Sequence, residues 1–384
     1  MTASEVAAVQ FVHRVVAGAR RERHVRQRRV LARGGRHARS VGDEHVRRIP
    51  HLVEFVQHRF RSIIAQFRRR RGIDCICGVS GGVDSSLVLL RAVQAGLKPL
   101  AVHVDNGWND ELAVANIERL TGSLGVDLHT AVLDWEVFRD IQRSFFLASV
   151  PNVEMVTDHA INATLFRLAA RSGVRHIISG SNLATEAFLP TNAGHDNKDW
   201  IHIRALHRRF GTVDTKGYPF LSRALFAYLL LVKRIRFLPI LNYIDYDRAA
   251  AKAELEATCG WRDYGRKHGE SRFTRFFQEH YLPQKFGIHK QRAHLSCQVL
   301  AGQISRDQAL EELKRPLWAD GELTVATESV CRKLGFTEAQ WSEIMGAEPR
   351  SHLQYPFDRF FQSPDASLYQ VFRRIATGRP APRM

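Results

Sequence analysis

The 384-residue sequence predicts an α/β chain: a doubly wound parallel sheet followed by a mainly helical C-terminal region. Three observations carry this. Short apolar runs alternate with helical patterns from residue 73 to about 182, the arrangement expected of successive β-α-β units. The first apolar run turns through Ser80-Gly81-Gly82-Val83-Asp84-Ser85 directly into helical spacing. Beyond about residue 190 the strand patterns give way to loops and helices. With 45% apolar residues, the chain can build one large or two modest cores.

Taken in order, apolar residues at helical spacing over 52–68 lead into the first strand, which ends at Val79. The helix after the turn spans 84–95 and stops at Gly96, a natural position for a left-handed cap. Pro99–Asp105 reads as a buried parallel strand, followed by a helix over 110–124, a strand over 127–133 and a helix over 135–147. A further helix starts at Thr157 or Asp158, either of which can serve as its cap. His176–Ser179 is the next strand. The apolar stretch Leu221 to Ile240 is broken by Arg223, Lys233, Arg234 and Arg236, so it is expected as a buried or partner-facing helix and not a membrane span.

The Ser80–Ser86 turn has the chemistry of a phosphate cradle. Backbone N–H groups gather at the positive end of a helix, and Gly81 and Gly82 allow close approach of an anion. Ser80, Ser85 and Ser86 add hydroxyl donors, and Asp84 adds a carboxylate suited to Mg²⁺. There is no Lys, so the Gly-x-x-x-x-Gly-Lys-Ser/Thr loop that grips a γ-phosphate is excluded. In an open α/β sheet ligands collect at the carboxyl ends of strands. Asp105 and Asn106, at the end of the second strand, are therefore expected near an adenosine.

The string Ser80-Gly81-Gly82-Val83-Asp84-Ser85 resembles the S-G-G-x-D-S loop of the PP-loop ATP pyrophosphatases, which cleave ATP to AMP and pyrophosphate. Gly180-Ser181-Asn182-Leu183-Ala184-Thr185-Glu186 is similar to a Gly-x-Asn-x-x-(Ser/Thr)-Glu segment of NAD synthetase and related ligases. That similarity implies nucleotide contacts from Gly180, Asn182 and Thr185, and a Mg²⁺ ligand in Glu186. A narrower resemblance rests on Val104–Asn109, Asp134-Trp135, Asp158-His159-Ala160, Gly260–Thr274 and Phe286–Ser296. These stretches resemble the N-acetyl sugar amidotransferase family of lipopolysaccharide and surface-glycan biosynthesis, over residues 73 to 356.

The resemblance implies that ATP adenylates the carbonyl oxygen of a sugar N-acetyl group and that ammonia then displaces AMP, leaving an acetamidino group. It implies ATP and Mg²⁺ as cofactors and a sugar nucleotide as substrate. Within Gly260–Thr274, the charges of Lys267, His268, Glu270 and Arg272 suit gripping the sugar nucleotide and polarising its carbonyl, and Lys267, Glu270 and Arg272 are the expected catalytic residues alongside Asp84. Two positions depart from the family. Its members usually carry a Cys-rich N-terminal segment, whereas residues 1–72 contain no Cys, and Asp is usual where this chain has His289.

Composition bounds the rest. Of the formal net charge of +17, a +8 share lies in residues 1–50, with 12 Arg, no Lys and four acids. That segment is expected to be a disordered or mis-assigned leader, followed by a nucleotide-binding domain over 51–215 and a helical substrate or partner region over 216–384. Five scattered cysteines suit a reducing compartment, and with no secretory apolar segment a cytoplasmic location is expected. No cysteine lies in a Gly-x-Cys-x-Gly elbow and Met1 is followed by Thr2, so ammonia is expected from a separate glutaminase subunit. Charge in Gly260–Thr274 is mixed, which does not suit a nucleic-acid partner. Two other readings stay open: a tRNA-modifying PP-loop enzyme, and a non-catalytic nucleotide-binding module.

Overall fold

The structure, a computed structural model, describes residues 62–67, 72–187, 194–265 and 269–359. The Arg-rich segment 1–50, most of the helix expected over 52–68, and Lys267 and His268 lie outside the described residues. Five strands, β1 (Cys75–Gly78), β2 (Pro99–Asp105), β3 (Leu128–Val132), β4 (His176–Ser179) and β5 (Arg236–Pro239), form one parallel sheet in the order β3-β2-β1-β4-β5. Cys77 of the central strand lies opposite Ala101 on one side and Ile178 on the other. Cys75, Ile76 and Cys77 are fully buried, because a central parallel strand is covered on both faces.

Helices α1 (Val83–Gln94), α2 (Glu111–Leu124), α3 (Trp135–Leu147) and α4 (Met155–Arg171) connect these strands, and the short α5 (Leu183–Glu186) follows β4. The chain runs outward from β1 to β3 and then returns to the other side of β1 as β4. That reversal makes the β1–β4 junction the switch point of the sheet, where the two outgoing loops part and leave a crevice. The expected doubly wound sheet is present. The remaining helices are α6 (Trp200–Phe210), α7 (Arg223–Leu231), α8 (Arg248–Cys259), α9 (Arg272–Phe276), α10 (Leu282–Phe286), α11 (Lys290–Leu300), α12 (Arg306–Lys314), α13 (Glu322–Leu334) and α14 (Glu338–Gly346). They make the C-terminal region helical, as expected. No helix among the described residues is long and apolar enough to cross a membrane.

Two elements differ from expectation. Helix α4 starts at Met155, with Glu154 before it and no side-chain cap. Thr157 is engaged elsewhere, its hydroxyl accepting a 3.2 Å hydrogen bond from Asn106 at the end of β2. The stretch Leu221 to Ile240 is not one helix. Helix α7 closes with the Ile235 amide on the Leu229 carbonyl, Arg234 turns the chain at φ 55°, and β5 then pairs with β4. Of the basic residues that interrupt the apolar run, Arg223 opens α7, Lys233 and Arg234 lie in the turn and Arg236 starts the edge strand, so the sheet extends past residue 215.

The helical region is joined to the sheet layer through aromatic packing. Phe146 of α3 makes edge-on contacts with Phe273, Tyr281, Phe336 and Trp341 at centroid distances of 4.8–6.0 Å. A second tie is a buried imidazole chain. The Asn152 amide donates to Nε2 of His352 (3.1 Å), so the His352 proton sits on Nδ1 and is donated to Nε2 of His202 (2.8 Å). Nδ1 of His202 then donates to the Pro356 carbonyl (3.1 Å). Every nitrogen has one assigned role, and an extra proton would break a bond at either end.

Burial lowers the pKa of His159, His176 and His202 to about 4 and that of His352 well below its ordinary value. A lowered histidine pKa means that the unfolded chain binds the proton first. The stabilisation is complete above about pH 6.5 and is lost as pH falls towards 4. Asp158, raised to about 7, acts in the opposite direction, but it is one group against four. The melting temperature should therefore fall steadily between pH 6.5 and 4.5. A flat profile across that window in scanning calorimetry would contradict the neutral imidazole chain.

Candidate active site

The loop after β1 is shaped by its own serines. The Ser80 amide and hydroxyl both lie 3.1 Å from Oγ of Ser85, and Ser85 donates to the Gly82 carbonyl at 3.2 Å. Gly81 adopts φ +80°, and a Cβ there would lie 2.6 Å from the Ala113 carbonyl oxygen, so only glycine fits. Helix α1 starts directly after Gly82 with no side-chain cap, which leaves its first amides for a ligand.

The second strand-end loop sits against the first. A Cβ on Gly180 would stand 2.8 Å from the Asp84 carbonyl carbon and 2.8 Å from the Ser85 nitrogen. Asn182 caps α5 by accepting from the Thr185 amide (2.9 Å) and hydroxyl (3.1 Å), and it donates to the Gly180 carbonyl (3.1 Å). Asn242 supports the same turn by accepting from the Leu183 amide at 2.9 Å. The two motifs, about 100 residues apart in sequence, thus meet at the switch point.

A third segment closes on the loop from outside. The Gly81 carbonyl accepts from the indole of Trp261 (2.7 Å) and from the hydroxyl of Tyr264 (3.0 Å). Asn116 of α2 fixes that segment by bonding the Arg262 backbone at both its carbonyl (2.8 Å) and its amide (2.9 Å). Farther along, Asn109 and Ser271 form an antiparallel bridge, and the Asp110 amide donates to the Glu270 carbonyl (3.0 Å). This places the Glu270 carboxylate on the loop: a Cβ on Gly82 would lie 2.8 Å from its Oε1.

Asp84 is half-buried and accepts a short hydrogen bond from the Tyr246 hydroxyl. Burial raises the Tyr246 pKa, and the Asp84 and Glu186 carboxylates both raise it further, so the two acids share one neighbourhood. Asp158 stands nearby. It is solvent-exposed yet closely surrounded by protein atoms, and this crowding, with Glu154 beside it, pushes its carboxyl up to about 7; Lys290 opposes the rise and Glu186 adds to it.

Hard oxygen donors of this kind suit Mg²⁺, which is commonly held by one or two carboxylates together with substrate phosphates. Among the described residues no group of three or more His, Cys, Asp or Glu is arranged for a metal, and a phosphate-shared ion requires none. Asp84 and Glu186 fit that donor set.

Several expected residues have other positions. Ser86 is fully buried with no partner for its hydroxyl, because its place on α1 faces the core; it cannot reach a phosphate. Thr185 is also fully buried and Asn182 nearly so, and their side chains shape the turn. Asp105 accepts from the Gly107 amide (2.8 Å) and Asn109 (3.0 Å), and Asn106 accepts from the Trp108 amide (3.1 Å), so both stabilise their own loop at the cleft edge. Arg272 is 60% exposed at the rim, paired with Asp110 at 3.1 Å. Lys267 lies outside the described residues. Tyr246, Asn116 and Asn242 had no signal in the sequence, since each acts through a contact more than 50 residues away along the chain.

Residues 270–369 match the family model described as "LPS biosynthesis protein WbpG-like, C-terminal domain". The C-terminal region is similar to that family over these 100 residues. The matched segment begins at Glu270, the residue against Gly82. No curated protein matches the chain. Among solved structures, the chain is similar to an NH3-dependent NAD synthetase from Campylobacter jejuni, at 16% identity, covering 54% of this chain and 93% of that one, with TM-score 0.29. It is similar to an NMN synthetase from Francisella tularensis at 14% identity, 74% and 96% coverage and TM-score 0.33. It is also similar to a predicted tRNA methyltransferase subunit from Methanocaldococcus jannaschii at 15% identity, 47% and 75% coverage and TM-score 0.28. Likenesses at these scores carry no argument, and the fold stands on the strand order itself.

The contact of Gly180 with the first loop gives a test. Gly180→Ala should force the two loops apart, with an overpacking cost of about 1–3 kcal/mol. ATP affinity should fall at least about tenfold, one such increment of free energy. Unchanged ATP binding by titration calorimetry in a normally melting variant would contradict the two-loop site.

Proposed function

We propose that the chain is an ATP-dependent amidotransferase that converts the acetamido group of a nucleotide-linked sugar to an acetamidino group in surface-polysaccharide biosynthesis. The observation that carries this reading is the contact of Glu270 with Gly82. It joins the start of the WbpG-like region to a phosphate-binding loop at the switch point of an α/β sheet. A catalyst that adenylates an acceptor needs such a junction, because acceptor and α-phosphorus must meet. The sheet to Pro239 is the nucleotide unit in this scheme, and the helical remainder presents the acceptor.

The step balances simply. The acetamido carbonyl oxygen attacks the α-phosphorus of ATP and pyrophosphate departs. Ammonia adds to the activated carbon, and AMP leaves with the former carbonyl oxygen. The first amides of α1 and the Ser80 hydroxyl hold the departing phosphates. Mg²⁺ held by Asp84 and Glu186 would neutralise pyrophosphate charge. Glu270, half-buried beside the loop, is placed to orient the acetamido N–H, while Asp158, with its raised pKa, can take a proton from incoming ammonium.

Ammonia is supplied by a separate glutaminase subunit in this reading. All five cysteines are buried, burial pushes Cys75 up to about 12 and Cys331 to about 11, and Cys77 is raised as well. Neutral buried thiols do not serve as glutaminase nucleophiles. The same observation counts against tRNA thiolation, which the basic charge would otherwise suit. The reaction consumes ATP, which fits a cytoplasmic location.

Asp84→Ala should lower ATP-dependent turnover by about 10²-fold or more, the scale for one electrostatic catalytic element. Glu270→Gln should abolish sugar-dependent AMP formation while ATP binding persists. Ammonium should support the reaction by the single chain, and glutamine should do so only with a glutaminase added. AMP formation stimulated by tRNA and by no N-acetyl sugar nucleotide would replace this reading with the runner-up.

A further inference from the structure

A cavity of about 700 Å³ lies beside the loop site, in the size range of small-molecule sites. Its wall begins where the loop contacts end. Tyr246 and Tyr264 touch Asp84 and Gly81, and their immediate neighbours Asp247 and Gly265 line the cavity. Helix α11 forms another wall. It packs along α5, and Lys290 at its start is close enough to act on Asp158. Gln291, His294, Leu295 and Gln298, at helical spacing on one stripe of α11, all face the cavity.

The lining has a definite chemistry. Gln278, Gln291, Gln298, Gln303 and Gln308 bring five carboxamides to one space. The cationic Arg248, Lys252, Arg275 and Arg315 are offset by Asp247, Glu279, Asp307, Glu311 and Glu312, so no excess positive charge favours a phosphate. Arg275 is already committed to Glu279 and Glu322 and stacks 3.9 Å over Trp318. A carboxamide both donates and accepts, as a sugar hydroxyl does, whereas a phosphate only accepts. Gln303 shows the mismatch left in the protein alone: its Nε2 donates to the Tyr246 carbonyl at 2.9 Å, while its buried Oε1 has no partner. Leaving such an acceptor unpaired is unfavourable.

From this lining we infer that the cavity is the acceptor site and holds the uncharged, polyhydroxylated ring of the sugar, with its acetamido group directed to the Glu270 side of the loop. The inference rests on the amidotransferase reading for the identity of the ring. Gln291 and Gln298 bind ring hydroxyls, and Gln303, held to the Tyr246 carbonyl, connects the cavity wall to the residue that bonds Asp84. A nucleotide portion, if present, lies outside the carboxamide lining.

The test is a calorimetric titration of the full chain with UDP-N-acetylglucosamine, UDP and ATP separately, for the wild type and for Gln291→Leu/Gln298→Leu. Loss of two neutral hydrogen-bonding groups should weaken UDP-N-acetylglucosamine binding by about tenfold or more. UDP and ATP affinities should not change. If the double variant melts early, Gln291→Ala and Gln298→Ala are titrated singly, with the same expectation in smaller measure. Equal weakening of UDP and UDP-N-acetylglucosamine, unchanged affinity for both, or no binding of the sugar nucleotide to the wild type would each overturn the assignment. Sugar binding lost in the variant, combined with no AMP formation by the wild type, would uphold the cavity and reject the amidotransferase reaction.

Discussion

The Gly81 carbonyl is the point on which the two halves of the molecule depend. Gly81 takes a left-handed turn in which a Cβ would lie 2.6 Å from the Ala113 carbonyl oxygen. Trp261 and Tyr264 donate to the Gly81 oxygen from a segment 180 residues later. A neutral hydrogen bond contributes only about 0.5–1.5 kcal/mol net, so the pair matters less for stability than for position. An unpaired carbonyl beside a fully buried indole would be costly. The loop can therefore hold its phosphate-ready shape only while the later segment is docked.

That docking has consequences for the whole cleft. Holding Trp261 in place requires the Asn116 bridge to Arg262, and the chain that continues from there must return past β2, where it bridges Asn109 and delivers Glu270 to Gly82. Glycine recurs at each crowded point because three backbones converge there. Gly180 leaves room for the first loop, Gly82 for a carboxylate, and Gly107, at the end of β2, for the ring of Trp135. Lys333 reaches this last turn from α13, donating to the Gly107 carbonyl and lying 4.8 Å from the Trp108 ring centre. The helical region is thus part of the site's framework, and changes in its packing should be felt at the two strand-end loops.

Local patterns and long-range contacts were unequally legible in the sequence. The strand-turn-helix at Ser80–Ser85 and the turn at Gly180–Glu186 were readable because each is set by contiguous residues with special backbone demands. Their meeting follows from the strand order. Ser86 and Thr185 look the same in a motif as serines and threonines that touch a ligand, yet their positions on α1 and α5 turn them inward. β5 was hidden in an apolar run whose helical first half masks a four-residue edge strand. Tyr246 carried no signal at all. Its role exists only because the fold brings α8 beside α1, and no local rule encodes that contact.

The central claim is that ATP activates an amide oxygen and not a phosphate-linked hydroxyl or a thiol. The most direct measurement uses a nucleotide-linked N-acetyl sugar carrying ¹⁸O in the acetyl carbonyl, incubated with the chain, ATP, Mg²⁺ and ammonium. Mass spectrometry of the nucleotide product should find one ¹⁸O in AMP for each acetamidino group formed, because the carbonyl oxygen leaves with the α-phosphorus. Unlabelled AMP, or ADP in its place, would contradict the account.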